Sequence, residues 1–283
     1  MPTPPDSPAP AGDHHVVLDG VRMGFGERAI FENLSCRMPR DKITVILGGS
    51  GVGKSTVLRL IGGLIRPDGG RIIVDGTDIV GLSNRQLVKV REKLGMMFQG
   101  GALLDSMNVF DNLAFPLREH TDMARDDIAT EVRRCLLNVG LTDVGDLLPG
   151  ELSGGMVKRV ALARALIRKP VILLCDEPFS GLDPITTKRV ELLLKRVNKE
   201  LGITVVMISH DASSTLRMAD HLLVMLPDGS IEGSPDELKD SSDPRVANLL
   251  RTDVDEAFLK VGTPLEALLN MDVAHGDLES TWS

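Results

Sequence analysis

The hydrophobic positions of this chain fall into short, uninterrupted runs that are separated by glycine-rich turns and by longer segments of helical periodicity. Four such runs cover residues 43–47, 94–98, 171–175 and 203–208. A continuous apolar run, unlike an alternating one, is typical of a parallel strand that is buried on both faces. The pattern therefore predicts an α/β fold built on a parallel sheet.

The rest of the pattern divides the chain into further parts. Strand-like runs at residues 16–23 and 29–38, joined by a predicted turn at residues 24–26, precede the four apolar runs. Residues 100–150 show helical spacing and predict an inserted, mostly helical segment. A strongly amphipathic helix is expected to begin after Ser153.

Composition and charge limit the possible partners. The chain has 283 residues, is 42% hydrophobic and carries a net charge of −8. This acidic balance lacks the excess of basic residues that is typical of nucleic-acid-binding proteins. Residues 1–13 hold five of the 16 prolines and are predicted to be a disordered leader. We expect one globular domain over residues 14–250, followed by an acidic tail at residues 251–283 with a net charge of −5.

Cysteine usage and hydropathy favour a cytosolic protein. Cys36, Cys135 and Cys175 form no CxxC pair and no metal-binding spacing, which fits reduced thiols. No apolar run approaches the roughly 18–20 residues that a membrane span requires, and the N-terminus lacks the apolar core of a signal peptide. Any membrane role is therefore expected to depend on a partner.

One stretch combines a predicted buried strand with a glycine-rich loop. Residues 48–55, GGSGVGKS, follow the pattern G-x-x-x-x-G-K-[ST]. Glycines allow successive N–H groups to point into a phosphate, and the helix expected from Gly53 adds the positive end of its dipole. Lys54 is expected to contact the outer phosphates and the Ser55 hydroxyl to ligate Mg²⁺. The sequence therefore predicts a nucleotide-phosphate site.

Polar side chains follow the other apolar runs. Asp176 and Glu177 come directly after residues 171–175, whereas Gln99 and His210 follow two of the other runs. Because the carboxyl ends of parallel strands lie at one edge of a sheet, we expect these groups to face the glycine-rich loop. Asp176 suits a metal ligand, and Glu177 suits a base that polarises an attacking water. Taken alone, Gln99 favours a capping or surface role and His210 favours a structural role.

Further residues have both a structural and a functional interpretation. Ser153, followed by Gly154 and Gly155, is a good helix N-cap and also the start of a second anion site. Asp183, which precedes a proline, suits an N-cap or a functional contact. Phe25 suits stacking on a nucleotide base or anchoring of its turn.

Taken together, these stretches resemble the ATP-binding subunit of ABC transporters over roughly residues 15–250. The resemblance rests on the Walker A loop GGSGVGKST, the Q-loop glutamine, the signature LSGGM, the Walker B run VILLCDEP, the D-loop SGLD and the switch histidine. It implies a P-loop NTPase fold of the α/β class with a RecA-like core and an N-terminal antiparallel β subdomain. An inserted α-helical subdomain is expected at about residues 100–168.

The resemblance also implies ATP and Mg²⁺ as ligands and a role for each matching position. Glu177 would be the general base, while Lys54 and His210 would contact the γ-phosphate. Phe25 would stack on adenine. The signature residues of one copy would cap the γ-phosphate bound to a second copy, and Asp183 would report across that dimer interface. The implied nucleotide-binding residues are Phe25, Gly48, Gly49, Ser50, Gly51, Val52, Gly53, Lys54, Ser55, Thr56, Gln99, Ser153, Gly154, Gly155 and Asp183, and the implied metal ligands are Ser55, Gln99 and Asp176.

Met156 departs from the family pattern, because most members have glutamine after the signature glycines. With the run MMFQGGALLDSMNVFDNLAFPLREHT, it makes the chain resemble the ATPases of Mla and Mce-type lipid transport systems. That resemblance implies a homodimer at the cytoplasmic face of the bacterial inner membrane, held there by an integral-membrane permease. An MCE-domain lipid-binding protein and, in some systems, a small STAS-domain subunit are the other implied partners. The segment after Gln99, through about Phe110, would form the permease groove, although its apolar residues Leu103, Leu104, Met107 and Phe110 suit ordinary core positions equally well.

Other functions remain open at this level. The ATPase of a small-solute importer would carry the same motifs, because the substrate meets the permease rather than this chain. A soluble ABC-type ATPase of translation or DNA repair would usually have two cassettes or a long coiled-coil insertion, and neither pattern is present. The apolar positions of the tail at residues 251–283 suit docking across the dimer, docking on a regulatory partner, or a mobile tail.

Overall fold

The computed structural model describes residues 13–26 and 28–250, so the predicted acidic tail and, apart from Asp13, the predicted leader lie outside the described residues. The described part of the chain contains two β-sheets. The strands are β1 (His14–Phe25), β2 (Arg28–Pro39), β3 (Ile43–Gly48), β4 (Gly69–Val74), β5 (Thr77–Asp78), β6 (Leu94–Met97), β7 (Ile172–Asp176), β8 (Thr204–Ile208), β9 (His221–Leu226) and β10 (Gly229–Gly233).

Helices fill the connections between the strands. Within residues 13–26 and 28–250, none is long and apolar enough to cross a lipid bilayer. The α-helices are α1 (Lys54–Ile61), α2 (Asn84–Arg91), α3 (Val109–His120), α4 (Arg125–Asn138), α5 (Gly154–Leu166), α6 (Pro184–Leu201), α7 (Ala212–Met218), α8 (Pro235–Lys239) and α9 (Pro244–Leu250), with one 3₁₀ turn at Pro149–Glu151.

The larger sheet contains the parallel strands predicted from the apolar runs. Its order is β10-β9-β3-β8-β7-β6, and every neighbouring pair is parallel except β9 and β10. All residues of β3 and β8 are buried, as expected for strands with both faces covered. Gly48 and Asp176 end β3 and β7, while Gln99 and His210 lie two residues beyond the ends of β6 and β8. These groups therefore share one sheet edge.

The smaller sheet is antiparallel with the order β2-β1-β4-β5, which confirms the expected β subdomain. The turn predicted at residues 24–26 is wrong for its first two positions, because Gly24 and Phe25 lie in β1 and pair with Ala29 and Arg28. A Cβ at Gly24 would lie 3.0 Å from the Arg28 carbonyl oxygen. Glycine thus permits close strand pairing here rather than a turn.

The segment between β6 and β7 is helical, as predicted, but α5 is not the amphipathic helix that its sequence indicates. Its residues 160–163 are all buried, and so is Lys158. The physical reason is that α5 contacts β6 on one side and α3, α4 and α6 on the others. A helix enclosed on several sides has no broad polar face.

A polar network joins the two sheets at the edge opposite the glycine-rich loop. His15 is 2% exposed; its Nδ1 lies 2.5 Å from Thr204 Oγ1 and its Nε2 lies 2.7 Å from Arg40 Nη1. Burial and the Arg40 charge lower the pKa of His15. Asp75 accepts hydrogen bonds from Lys93 and Arg40, and the Lys93 bond is the main cause that lowers the pKa of Asp75 to about 2.

We expect Asp75→Asn to reduce the free energy of unfolding by about 1–2 kcal/mol at pH 7. Because the folded-state pKa lies below the unfolded value of about 3.9, this contribution is complete above pH ~4 and disappears as the pH falls toward 2. Urea unfolding of both proteins over this pH range tests the sign. The exposed Asp122→Asn is the matched control, and a difference independent of pH would contradict the assignment.

Candidate functional site

The loop between β3 and α1 adopts backbone conformations that require glycine. Gly48 and Gly53 have φ angles of 150° and 98°. A Cβ at Gly48 would lie 2.5 Å from the Met225 carbonyl oxygen, and a Cβ at Gly53 would lie 2.5 Å from the Phe31 ring. Gly51 is also left-handed, with φ of 77°. The loop is therefore held tightly between β9 and β2, and its shape depends on the glycine spacing.

The Lys54 ammonium lies over this loop. Its side chain is 7% exposed, and Nζ donates to the carbonyl oxygens of Gly48 at 2.9 Å and Gly49 at 2.8 Å. Burial lowers the pKa of Lys54, and the nearby carboxylates of Glu177 and Asp176 oppose that shift. A largely desolvated cation bound to neutral carbonyls is well placed to bind an anion. The surrounding concavity is lined by Arg28, Ile30, Ser50, Gly51, Gly53, Lys54, Ser55, Thr56, Glu177 and His210.

Three of the polar groups predicted to share one edge meet at Glu177. Gln99 Nε2 donates to Glu177 Oε2 at 2.8 Å, and His210 Nε2 lies 2.6 Å from Glu177 Oε1. Glu177 itself has a φ of 49°, a conformation that costs a non-glycine residue about 1 kcal/mol or more. The chain therefore bends directly after β7 and presents this carboxylate beside the glycine-rich loop.

Ser55 and Asp176 form the pair that suits a magnesium ion. Ser55 Oγ donates to Asp176 Oδ1 at 3.3 Å. Burial raises the pKa of Asp176, while the Ser55 hydrogen bond opposes the shift. A hydroxyl and a carboxylate are the hard oxygen ligands that Mg²⁺ prefers, and phosphate and water commonly complete its shell. Gln99 is the third predicted ligand. Its Nε2 donates to Glu177 and lies 3.5 Å from Ser180 Oγ.

The signature residues and Asp183 lie outside the concavity at the glycine-rich loop. Ser153 caps α5, and its Oγ accepts from Met156 N at 3.4 Å. A Cβ at Gly155 would lie 2.5 Å from Thr186 Cγ2, so glycine permits the close approach of α5 and α6. Asp183 caps α6 by accepting two backbone N–H groups at 3.0 Å. The N-cap interpretations are therefore correct, and each cap leaves further backbone N–H groups of its helix without an intrahelical partner.

The concavity also contains a residue, close to Phe25 in the β1–β2 hairpin, that the sequence motifs do not reveal. Phe25, at the end of β1, is 53% exposed, as a stacking platform requires. Arg28, its partner across the β1–β2 hairpin, lines the concavity, and its Nη2 lies 3.8 Å from the Cβ position of Gly51. Strand periodicity was the available signal, because Arg28 and Ile30 share one face of β2.

Comparisons with known proteins agree with this geometry. The sequence profile described as "ABC transporter" matches residues 31–180. The intermembrane phospholipid transport system ATP-binding protein MlaF of Escherichia coli (strain K12) is 46% identical over 236 residues, which cover 83% of this chain and 88% of MlaF. The probable ribonucleotide transport ATP-binding protein mkl of Mycobacterium tuberculosis (strain CDC 1551 / Oshkosh) is 40% identical over 228 residues, which cover 81% of this chain and 64% of that protein.

A solved structure shows the same similarity in three dimensions. The ATP-binding cassette MJ0796, in a dimeric post-hydrolysis state bound to ADP and Pi, superimposes with a TM-score of 0.72. The aligned residues are 31% identical and cover 77% of this chain and 98% of MJ0796. These matches confirm the fold expected from the sequence motifs. The chain belongs to the ABC transporter family, in which it is an ATP-binding subunit.

Proposed function

We propose that this chain is the ATPase that powers a phospholipid transporter of the bacterial cell envelope. The observation that carries this proposal is the 46% identity to MlaF across 83% of the chain. It is supported by the site, where Lys54 and the Ser55–Asp176 pair lie beside the Glu177 carboxylate. Transport needs an energy source, and the ATPase supplies it by coupling hydrolysis to a change in its own association state.

The geometry supports a direct mechanism for hydrolysis. Lys54 and the loop N–H groups bind the β- and γ-phosphates and neutralise their charge. Glu177 accepts a proton from the water that attacks the γ-phosphorus, the bond to ADP breaks, and inorganic phosphate is formed. His210 and Gln99, both in contact with the Glu177 carboxylate, hold it in place and orient the water. A Mg²⁺ bound by Ser55 and Asp176 would neutralise phosphate charge.

The site is expected to be completed by a second copy of this chain. Ser153, Gly154 and Gly155 begin α5 with backbone N–H groups suited to an anion, but they lie outside the concavity of their own glycine-rich loop. A two-fold, head-to-tail dimer would bring each signature to the partner's ATP. The dimeric state of the similar cassette MJ0796 supports this arrangement.

A permease would dock at the loop after Gln99. Leu104, within that loop, is 41% exposed, whereas Leu103 and Phe110 pack partly against the core and Met107 is half-buried. An apolar side chain exposed beside the catalytic loops suits a helix from a membrane partner. The chain would thus be peripheral at the cytoplasmic face of the inner membrane. MCE-domain and STAS-domain proteins are the further partners that a phospholipid system of this type would supply.

A small-solute importer is the alternative. The mycobacterial relative mkl, at 40% identity, is named for probable ribonucleotide transport, although it matches this chain over only 64% of its own length. The same ATPase site would serve either cargo, because nothing in hydrolysis depends on the substrate of the permease. The composition of the assembled transporter separates the two functions.

We expect the tagged chain, purified from native membranes in mild detergent, to retain a multi-span permease, an MCE-domain protein and phospholipid. Leu104→Asp should lose the permease, while Leu201→Asp, which alters a residue 56% exposed at the end of α6, should retain it. Mass spectrometry identifies the proteins and lipids. Recovery of a permease with a periplasmic solute receptor would keep the ATPase assignment and reject lipid transport.

A further inference from the structure

A buried cation that no nucleotide-binding motif includes lies beneath the catalytic carboxylate. Lys158, in the second turn of α5, is 6% exposed. Its Nζ donates to the backbone carbonyl oxygen of Gln99 and, at 3.3 Å, to that of Glu177. A buried ammonium is retained only where acceptors replace its lost hydration. Burial lowers its pKa, but the charges of Glu177 and Asp176 act in the opposite direction and favour the charged form.

The two carbonyls belong to the loops that follow the neighbouring strands β6 and β7. The side chains of the same two residues also meet, because Gln99 Nε2 donates to Glu177 Oε2 at 2.8 Å. Lys158 thus closes a ring of contacts that includes the backbone and the side chains of both residues. A displacement of either loop would break a contact made by the other.

A second side chain of α5 binds the Gln99 loop further along. Arg164 donates to the carbonyl oxygens of Gly101 at 2.9 Å and Ala102 at 2.8 Å. Ala102 has a φ of 49°, a strained conformation for alanine that these bonds help to hold. The loop is therefore attached to α5 at two points, whereas the Glu177 backbone is reached by Lys158 at one.

We propose that Lys158 is a positioning residue for ATP hydrolysis, which fixes the Glu177 carboxylate and the Gln99 loop to the helix that begins with Ser153. The inference rests on the proposed role of Glu177 as general base. The helix whose N-terminus would serve the ATP of the partner and the base that serves the ATP of the same chain would then move as one unit. Closure of the dimer around the ATP of one copy would thereby position Glu177 beside the ATP of the other copy.

Energetics separate positioning from mere support of the fold. Removal of a buried ammonium also removes its desolvation cost, which offsets part of the stability lost with its hydrogen bonds. Methionine at position 158 would fill the same space but leave the two carbonyl oxygens without their donor. The Glu177 loop, already in a left-handed conformation, would then lose a contact that holds it. A small misplacement of a catalytic group can cost about 10²-fold in rate.

The test measures the steady-state rate of ATP hydrolysis by the full chain in three variants, Lys158→Met, Lys158→Gln and Lys158→Arg. We expect Met, which has no donor, to lower kcat by about 10–100-fold with KM for ATP changed less than about twofold. Gln keeps two N–H donors on a side chain shorter than that of lysine, so its kcat should fall between those of the Met and Arg variants. Arginine, which can still donate to both carbonyls, should restore most of the rate. Lys195→Met, on the exposed face of α6, is the matched control and should behave as the parent protein does.

Two results would overturn the proposal. One is a kcat for Lys158→Met within twofold of the parent. The other is a rate loss that disappears once the rate is divided by the fraction of ADP-binding protein, because that loss would reflect unfolding alone. Glu177→Gln is measured in parallel; a normal rate in that variant would reject the base assignment separately. The Lys158 result is judged from its own kcat, so the two failures are distinguishable.

Discussion

Glu177→Gln is expected to lower kcat for ATP hydrolysis by about 10²–10⁴-fold while ATP binding is retained. The amide has the size of the carboxylate but cannot accept the proton of the attacking water. The carboxylate does not contact the glycine-rich loop through any hydrogen bond within the described residues, so Lys54 and Ser55 should still bind the phosphates. Binding without hydrolysis is therefore the expected phenotype.

The same variant also tests the proposed dimer. If closed dimers open only after hydrolysis, Glu177→Gln should accumulate as a dimer with MgATP and return to monomer with MgADP. Size-exclusion chromatography with light scattering measures the mass, and single-turnover assays measure the chemical step. Glu200→Gln, an exposed carboxylate on α6, is the control. Hydrolysis at the normal rate would show that another group accepts the proton.

Lys54→Met is expected to weaken ATP binding by about 10²-fold or more, because a charge-assisted contact is lost, and to remove measurable hydrolysis. The ammonium, which is only 7% exposed, would supply a charge-assisted contact to phosphate, and such contacts strengthen where water is excluded. The variant also removes the donor to the carbonyl oxygens of Gly48 and Gly49. Both effects act on the anion site and leave the buried strands unchanged.

Thermal unfolding with and without MgATP measures this loss directly. A ligand that binds only the folded state stabilises it by about 2.7 kcal/mol at a hundred times its dissociation constant. We expect the parent protein to gain this stabilisation and Lys54→Met to lose it. Lys42→Met, an exposed lysine just before the opposite end of β3, should retain the full shift. An equal shift in both variants would contradict a phosphate-binding role for Lys54.

The elements of the fold differ in how well sequence patterns predict them, and the differences have physical reasons. The apolar runs predicted the parallel strands well, because burial on both faces leaves a direct trace in the sequence. The helix from Ser153 was placed correctly, but its amphipathic character was wrong, since α3, α4, α6 and β6 enclose α5. The turn predicted at residues 24–26 was displaced, because pairing between β1 and β2 outweighs the local preference of Gly24.

Local chemistry alone determines much of the candidate site. The left-handed loop around Gly53 and the N-caps at Ser153 and Asp183 depend on residues close together in the chain, so short patterns predict them. The same holds for the adjacent Asp176 and Glu177 at the end of a buried strand. These features, together with the order of the motifs, were sufficient to predict the family.

Only the tertiary structure decided which of these groups meet. Gln99, Glu177 and His210 converge because strand order places the ends of β6, β7 and β8 side by side. Arg28 reaches the glycine-rich loop because the smaller sheet packs beside it, and Lys158 reaches two carbonyls because α5 lies beneath both loops. The apolar runs predicted a shared sheet edge for Gln99, Glu177 and His210, but which side chains touch depends on strand order and packing between residues far apart in the chain, which sequence spacing does not give.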